Sequence, residues 1–300
     1  MSGFDLEDYL AAQRARVEAG FAEYLAVRLA GAPPELVKAI RYSVEAPGKR
    51  LRPILVLAAC EAVGGAFTDA LDAALAIEMI RTYSLIHDDL PCMDDDDLRR
   101  GRPTSHKVFG EALAILAGDG LITEAFCLLA TLARGARVAP ETVLRVVREV
   151  SSAAGVSGMV GGQVADMHNQ GKHLDLAALT RMHAMKTGAL IEVSARAGAR
   201  LGGGTEEEVE ALAAYGRALG LAFQIADDVL DVTASTEVLG KRTAKDEDRG
   251  KNTFPGLLGV EESRARARAL RDEAHAQVAR FGARAEALQV LADYVVERER

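Results

Sequence analysis

Two aspartate clusters carry the most evident chemistry in this chain. Asp88-Asp89-Leu90-Pro91-Cys92-Met93-Asp94 and Asp227-Asp228-Val229-Leu230-Asp231 each lie directly behind an apolar run that reads as helix. Two carboxylates about 4 Å apart at an effective dielectric near 20 repel by about 4 kcal/mol. Several of them gathered at the inner ends of apolar helices therefore call for cations between them. Magnesium suits such a set, because it takes a few carboxylates, keeps its other positions for water and hands these to phosphate oxygens. Asp227 and Asp231 are one helical turn apart and share a face. On an unbroken helix Asp88 and Asp94 would stand roughly 120° apart, but Pro91 breaks or bends a helix there and can return Asp94 toward Asp88. Either cluster alone reads as readily as a solvated helix end; the pair does not.

The run from Asp94 to Asp97 resembles a calcium loop only superficially. Counted from Asp94, Arg99 stands where that loop needs glycine and Ser105 where it needs glutamate. Arg99 and Arg100 follow the acids at once, which fits a polyanion shared between cations and guanidinium forks. Gly48-Lys49-Arg50-Leu51-Arg52-Pro53 sets three cations at a turn leading into the apolar run Ile54 to Cys60, a phosphate signal that is not a P-loop. Lys186-Thr187-Gly188 lies in a helical stretch that Thr and Gly both weaken, so a kink exposing a carbonyl is expected. Gly161-Gly162-Gln163 allows close backbone approach, with Asp166 one turn on. The chain uses 28 arginines and only eight lysines, and Lys49, Lys186, Lys241 and Lys251 fall in these motifs or in the segment after the second cluster. Lysine thus survives where a compact, rotatable charge is needed.

The elements that must position these residues are helices. Apolar residues recur at three- and four-residue spacing over Asp69 to Asp88, Glu111 to Ala133, Pro140 to Ser157 and Glu206 to Asp231, and strand alternation is scarce. Residues 1–300 read as a single all-helical domain, with Thr233 to Thr253 as a long polar loop. Leu85-Ile86-His87-Asp88-Asp89 and Gln224-Ile225-Ala226-Asp227-Asp228 echo one another, as two helices facing across a bundle cavity would. A net charge of -8 argues against a nucleic-acid binder. Cys60, Cys92 and Cys127 form neither a disulfide framework nor a zinc spacing, which fits a reducing cytoplasm. An acidic amino terminus and the lack of an obvious run of 18 apolar residues predict a soluble cytoplasmic protein with no membrane span.

Taken in order along nearly the whole chain, these motifs resemble those of bacterial trans-prenyl diphosphate synthases, most closely the short-chain farnesyl diphosphate synthases. The segments carrying the resemblance are Gly48 to Pro53, Ser84 to Gly101, Gly162-Gln163, Lys186-Thr187, Phe223 to Asp228 and Leu239-Gly240-Lys241. The resemblance implies an all-α bundle around a deep central cavity, a homodimer, and about three magnesium ions per site. It further implies condensation of isopentenyl diphosphate with dimethylallyl or geranyl diphosphate to give farnesyl diphosphate, with geranylgeranyl diphosphate as the second choice of product.

By the same resemblance, Asp88, Asp94 and Asp227 are the principal metal ligands and Asp89, Asp228 and Asp231 support them. Arg99, Lys186, Lys241 and Lys251 hold the allylic diphosphate, while Lys49, Arg52 and Arg100 hold isopentenyl diphosphate. The Lys186 carbonyl, the Thr187 hydroxyl and the Gln224 amide stabilise the allylic cation. Arg81 stands where bacterial relatives commonly have a histidine, on the Asp88 face about 10.5 Å below it; it either holds isopentenyl diphosphate or pairs with Glu78 or another acid. Tyr83 and Ser84 occupy the positions that limit product length. A terpene cyclase, or a non-catalytic subunit of a heteromeric synthase, are the alternatives from other classes.

Overall fold

The computed structural model describes residues 4–132, 138–237 and 252–297. Helix α1 (Leu6–Arg28) starts where the Asp5 carboxylate accepts the Asp8 amide at 3.0 Å. It is followed by α2 (Pro34–Val44), α3 (Leu51–Ala62) and α4 (Phe67–Asp88), the last ending at the first aspartate of the first cluster. After a two-stranded antiparallel hairpin (Leu98–Arg99 with Arg102–Pro103) come α5 (Ser105–Phe109), α6 (Glu111–Thr131), α7 (Pro140–Ala154), α8 (Met159–His168) and α9 (Leu176–His183). A π-helical turn, Ala184–Gly188, joins α9 to α10 (Ala189–Leu201), and α11 runs from Glu206 to Glu237. Helices over Phe254–Leu258, Val260–Val278 and Glu286–Glu297 complete the described chain.

Architecture and sequence agree on an all-α bundle. The second aspartate cluster does not end its helix, however, because α11 continues to Glu237 through Thr233, where a loop was expected. Nothing in that segment forbids helix: Val232 to Glu237 lacks Gly and Pro, and the Thr233 hydroxyl donates to the Val229 carbonyl at 2.9 Å. The hairpin is the other departure. Arg100 and Gly101 both take positive φ, 53° and 76°, the conformation a two-residue hairpin turn requires.

Helix α3 lies between two apolar clusters and is buried from Pro53 to Cys60. Val56, Leu57 and Cys60 pack with α4, α6 and α7, whereas Ile54, Leu55, Ala58 and Ala59 pack with α10, α11 and the carboxy-terminal helices. Such a helix has no polar face to offer, so its charges sit at its two ends, Glu61 in the last turn and the cations at the amino-terminal turn. There Arg50 adopts φ 51°, a left-handed conformation costing a non-glycine residue about 1–2 kcal/mol. Its guanidinium secures that turn by donating to the Val44 and Ala46 carbonyls and pairing with Glu78 of α4 at 2.9 Å.

Helix α6 is long and apolar enough to cross a membrane by length and composition, with a mean hydropathy of 1.8 over its most apolar window. Yet α6 carries Asp119 and also Glu124, which is bonded to Tyr24 and Arg28, and it packs along α4.

Glu78 and Arg50 side chains are only 7% and 4% exposed, so removing one partner strands a buried charge. Glu78→Ala is expected to lower stability by about 3–5 kcal/mol in urea denaturation; a loss below about 1 kcal/mol would show that the pair does not hold the turn.

Candidate active site

The end of α4 and the carboxy-terminal half of α11 bring the two aspartate clusters to one cavity of about 290 Å³. Its lining includes Asp88, Asp94, Asp227, Asp228 and Asp231. The turn at Pro91 has the expected effect: the Asp94 amide donates to the Asp88 carbonyl at 2.8 Å, folding the chain back so that both acids share the cavity. Asp89, expected among the metal ligands, is placed elsewhere. It is 3% exposed and accepts from Arg99 Nε at 2.7 Å, away from that lining, because successive residues at a helix end project to different sides. Arg99 does reach the cavity wall while held by Asp89.

Burial acts on the carboxylates. It raises Asp88 above the usual range, with Lys186, Arg81 and Arg99 opposing and Asp94 adding to the rise. Burial likewise pushes Asp228 up to about 7, although the Phe254 amide and the Gln224 side chain both donate to it. Asp228 is thereby the end of a relay: Thr187 Oγ1 donates to Gln224 Oε1 at 3.1 Å, and Gln224 Nε2 donates to Asp228 Oδ1 at 2.8 Å. Asp231 is more exposed, at the cavity mouth.

Lys186 and Thr187 lie in the π-helical turn, where the α-helical ladder is interrupted as the sequence suggested. Gly162 makes that position possible, since a Cβ there would stand 2.2 Å from the Lys186 amide nitrogen. Lys186 Nζ pairs with Asp166 at 2.5 Å. Asp166 is a cavity residue the sequence signalled only by its place one turn after Gly162-Gln163. His183, Asn252 and Thr253 also line the cavity and had no sequence signal. Burial lowers His183 to about 4, so its ring is neutral near pH 7; it stacks on Phe254 with centroids 5.6 Å apart.

A second cavity, about 560 Å³, opens at the amino-terminal turn of α3. Lys49, Arg52, Arg81 and Arg100 line it, and among the described residues its one acid, Glu78, is engaged by Arg50. Gly48 carries no side chain where a Cβ would meet Arg100 Nη1 at 2.2 Å, and Arg100 donates to the Pro47 carbonyl. Arg52 and Arg81 line both cavities and so form the boundary between them. Burial lowers Arg52, and burial beside Arg52 lowers Arg81 to about 9, still a cation at neutral pH. Arg81 does not pair with Glu78: its Nη1 donates to Ser84 Oγ at 3.1 Å.

A third, largely apolar cavity of about 340 Å³ runs from Lys186 and Asp88 between α4 and α8, lined by Tyr83, Ser84, His87, Met159, Val164 and Met167. Tyr83 is buried and meets the His87 ring edge-on at 5.7 Å. Lys241 and Lys251 lie outside the described residues. The arrangement offers hard oxygen donors for a divalent cation, a cationic pocket for a second anion, and an apolar slot beside both.

A model of the polyprenyl synthetase family matches residues 33–291. A dimethylallyltranstransferase of Fischerella ambigua is 48% identical over 296 residues, covering 98% of this chain and 84% of that protein. The chloroplastic geranylgeranyl pyrophosphate synthase 11 of Arabidopsis thaliana is 48% identical over 301 residues, covering 99% of this chain and 83% of that protein. Among solved structures, an apo FPP/GFPP synthase from Zymomonas mobilis superposes with a TM-score of 0.85 at 40% identity, covering 97% of this chain and 98% of that one.

Asp228 is neutral in the fold below about pH 7 but ionised in an unfolded chain above its ordinary value of 3.8. Its contribution to stability is therefore full at acid pH and lost as pH rises through about 7. Asp88 shifts in the same direction. The melting temperature of metal-free protein should fall over that interval, and magnesium should raise it more at about pH 8 than at about pH 5, because protons compete for the ligands. Equal magnesium shifts at both pH values would contradict this.

Proposed function

The chain belongs to the polyprenyl synthetase family and is a short-chain prenyl diphosphate synthase, and from that premise we propose that it joins isopentenyl diphosphate to dimethylallyl and geranyl diphosphates, releasing farnesyl diphosphate. The observation that carries this reading is the pair of cavities, one acidic and one cationic, with Arg52 and Arg81 as their common wall. A cyclase ionising one prenyl diphosphate has no use for the cationic pocket. A non-catalytic subunit has no need to keep both aspartate clusters in one cavity.

In this reading Asp88, Asp94 and Asp227, supported by Asp231, hold about three magnesium ions. Their hard oxygens fit that cation, and a bound divalent cation would favour the ionised forms of Asp88 and Asp228, which burial disfavours. Magnesium, when bound, offsets the charge that develops on the leaving diphosphate. Lys186 and Arg99, with Lys241 and Lys251, grip the allylic diphosphate. Lys49, Arg52, Arg81 and Arg100 hold isopentenyl diphosphate. Asp228 acts through Gln224: by accepting from its amide nitrogen it turns the amide oxygen toward Thr187, so oxygen dipoles face the allylic carbons as they become cationic. The isopentenyl double bond attacks that cation and the departing diphosphate takes the proton, so no histidine base is needed. The exposed apolar residues Ile115 and Leu116 on α6 support a homodimer through that face.

The reading is tested by incubating the protein with labelled isopentenyl diphosphate, magnesium and each allylic primer, then sizing the products. Asp88→Ala and Asp227→Ala should each lower turnover at least a hundredfold, roughly the effect of deleting one electrostatic group at a developing charge. A variant that keeps a tenth of the rate at saturating magnesium would sink the metal assignment.

Tyr83 supports the fifteen-carbon product, because its buried ring lines the apolar cavity where a growing tail would extend. The Arabidopsis relative named as a geranylgeranyl synthase favours a twenty-carbon product as the second reading. Tyr83→Ala should lengthen the main product by at least one isoprene unit at modest cost in rate. An unchanged product, or a twenty-carbon product from the unaltered enzyme, would remove Tyr83 as the stop.

A further inference from the structure

The cationic cavity has a wall that none of the aspartate or lysine motifs announced. Leu10 and Arg14 of α1 line it, together with Tyr294 of the carboxy-terminal helix. These residues come from opposite ends of the chain. Leu10 and Arg14 are four apart and share a helix face.

What holds α1 in place is a different set of residues. Glu61 of α3 accepts from Tyr9 Oη at 2.8 Å, from Gln13 Nε2 at 3.0 Å and from Arg16 Nη1 at 3.3 Å. One turn and a half further on, the Arg50 guanidinium lies over the Phe21 ring at 5.9 Å. The helix is thus anchored at both ends of the stretch that carries Arg14, by partners that leave Arg14 itself out. Arg14 Nε is buried with no hydrogen-bond partner. Tyr294 meets Lys49 in turn, with Nζ 5.5 Å from the ring centroid, within cation–π range.

A guanidinium whose Nε is buried and unpartnered loses hydration without recovering it from the protein. That loss is recovered when an oxyanion enters. The pocket already gathers Lys49, Arg52, Arg81 and Arg100 around one engaged acid, so a further guanidinium raises its positive field rather than neutralising a neighbour.

We infer that Arg14 is a further binding residue for the diphosphate of the non-allylic substrate, and that Tyr294 positions Lys49 beside it. This rests on the reading of the cavity as the isopentenyl diphosphate pocket. Because Arg14 touches that anion in ground and transition states alike, its loss appears in KM and not in kcat. Arg14→Gln should raise the KM for isopentenyl diphosphate about tenfold, the effect of one charge-assisted hydrogen bond of about 1.4 kcal/mol. The allylic KM, kcat and melting temperature should stay within about twofold or a degree of the unaltered enzyme. Arg14→Lys should fall between the two. Tyr294→Leu should raise the same KM by a smaller factor, and Tyr294→Phe, which keeps the ring, should not.

Calorimetric titration of isopentenyl diphosphate without magnesium, where the acidic cavity repels anions, should show the same loss of affinity in Arg14→Gln. If the unaltered protein consumes and binds isopentenyl diphosphate and Arg14→Gln changes neither, the role of Arg14 is overturned while the functional reading stands. Equal rises in both substrate KM values overturn it as well. If the unaltered protein neither binds nor consumes isopentenyl diphosphate, both fall together.

Discussion

The arrangement of the molecule depends on one electrostatic constraint: two adjoining cavities concentrate partly buried charge, with carboxylates in the majority in one and cations in the other. Asp88, Asp94, Asp227, Asp228 and Asp231 face one cavity, while Lys49, Arg52, Arg81 and Arg100 face the next. Ion pairs offset only part of this charge: Lys186 pairs with Asp166 in the acidic cavity and Arg50 with Glu78 in the cationic one. Here burial raises Asp88 and Asp228 and lowers Arg52 and Arg81. Both sides therefore carry a cost in the free protein that cations on one side and a diphosphate on the other would relieve.

Such a site needs rigid support, and the supports are regular elements. α3 has apolar neighbours on both faces and cannot turn to present another side, so the cations at its first turn have a fixed outlook. The Arg50–Glu78 pair ties that turn to α4, whose far end carries Asp88, and so couples the cationic cavity to the acidic one. The hairpin after the first cluster gives Arg99 to Asp89 and Arg100 to the Pro47 carbonyl, fastening the two basic motifs together. Within the helices that wall the acidic cavity, the π-turn at Lys186 and Thr187 interrupts the ladder and leaves groups for chemistry.

Much of this was legible in the residues. Helical periodicity located α4, α6, α7 and α11, because an apolar face repeating at 3.6 residues has no other way to be buried. The fold-back at Pro91, the kink at Lys186 and the close approach at Gly162 followed from local stereochemistry. The partners of Asp89 and Asp228 were not legible, for a common reason. A side chain's partner depends on what the next helix brings opposite it, and neither Arg99 for Asp89 nor the Phe254 amide for Asp228 is near in the periodic pattern. Residues without any motif, among them His183, Arg14 and Tyr294, could not be ranked above other charges and rings.

The sequence by itself determined the chemistry of the donors, the helical class and the pairing of the two aspartate clusters, since these rest on residue type, period and spacing. Only the tertiary structure decided which carboxylates face the cavity, that Arg52 and Arg81 stand between two pockets, and that both ends of the chain close the second one. The physical reason is that periodicity fixes which face of a helix is buried, whereas the neighbour it meets is fixed by the packing of the whole bundle.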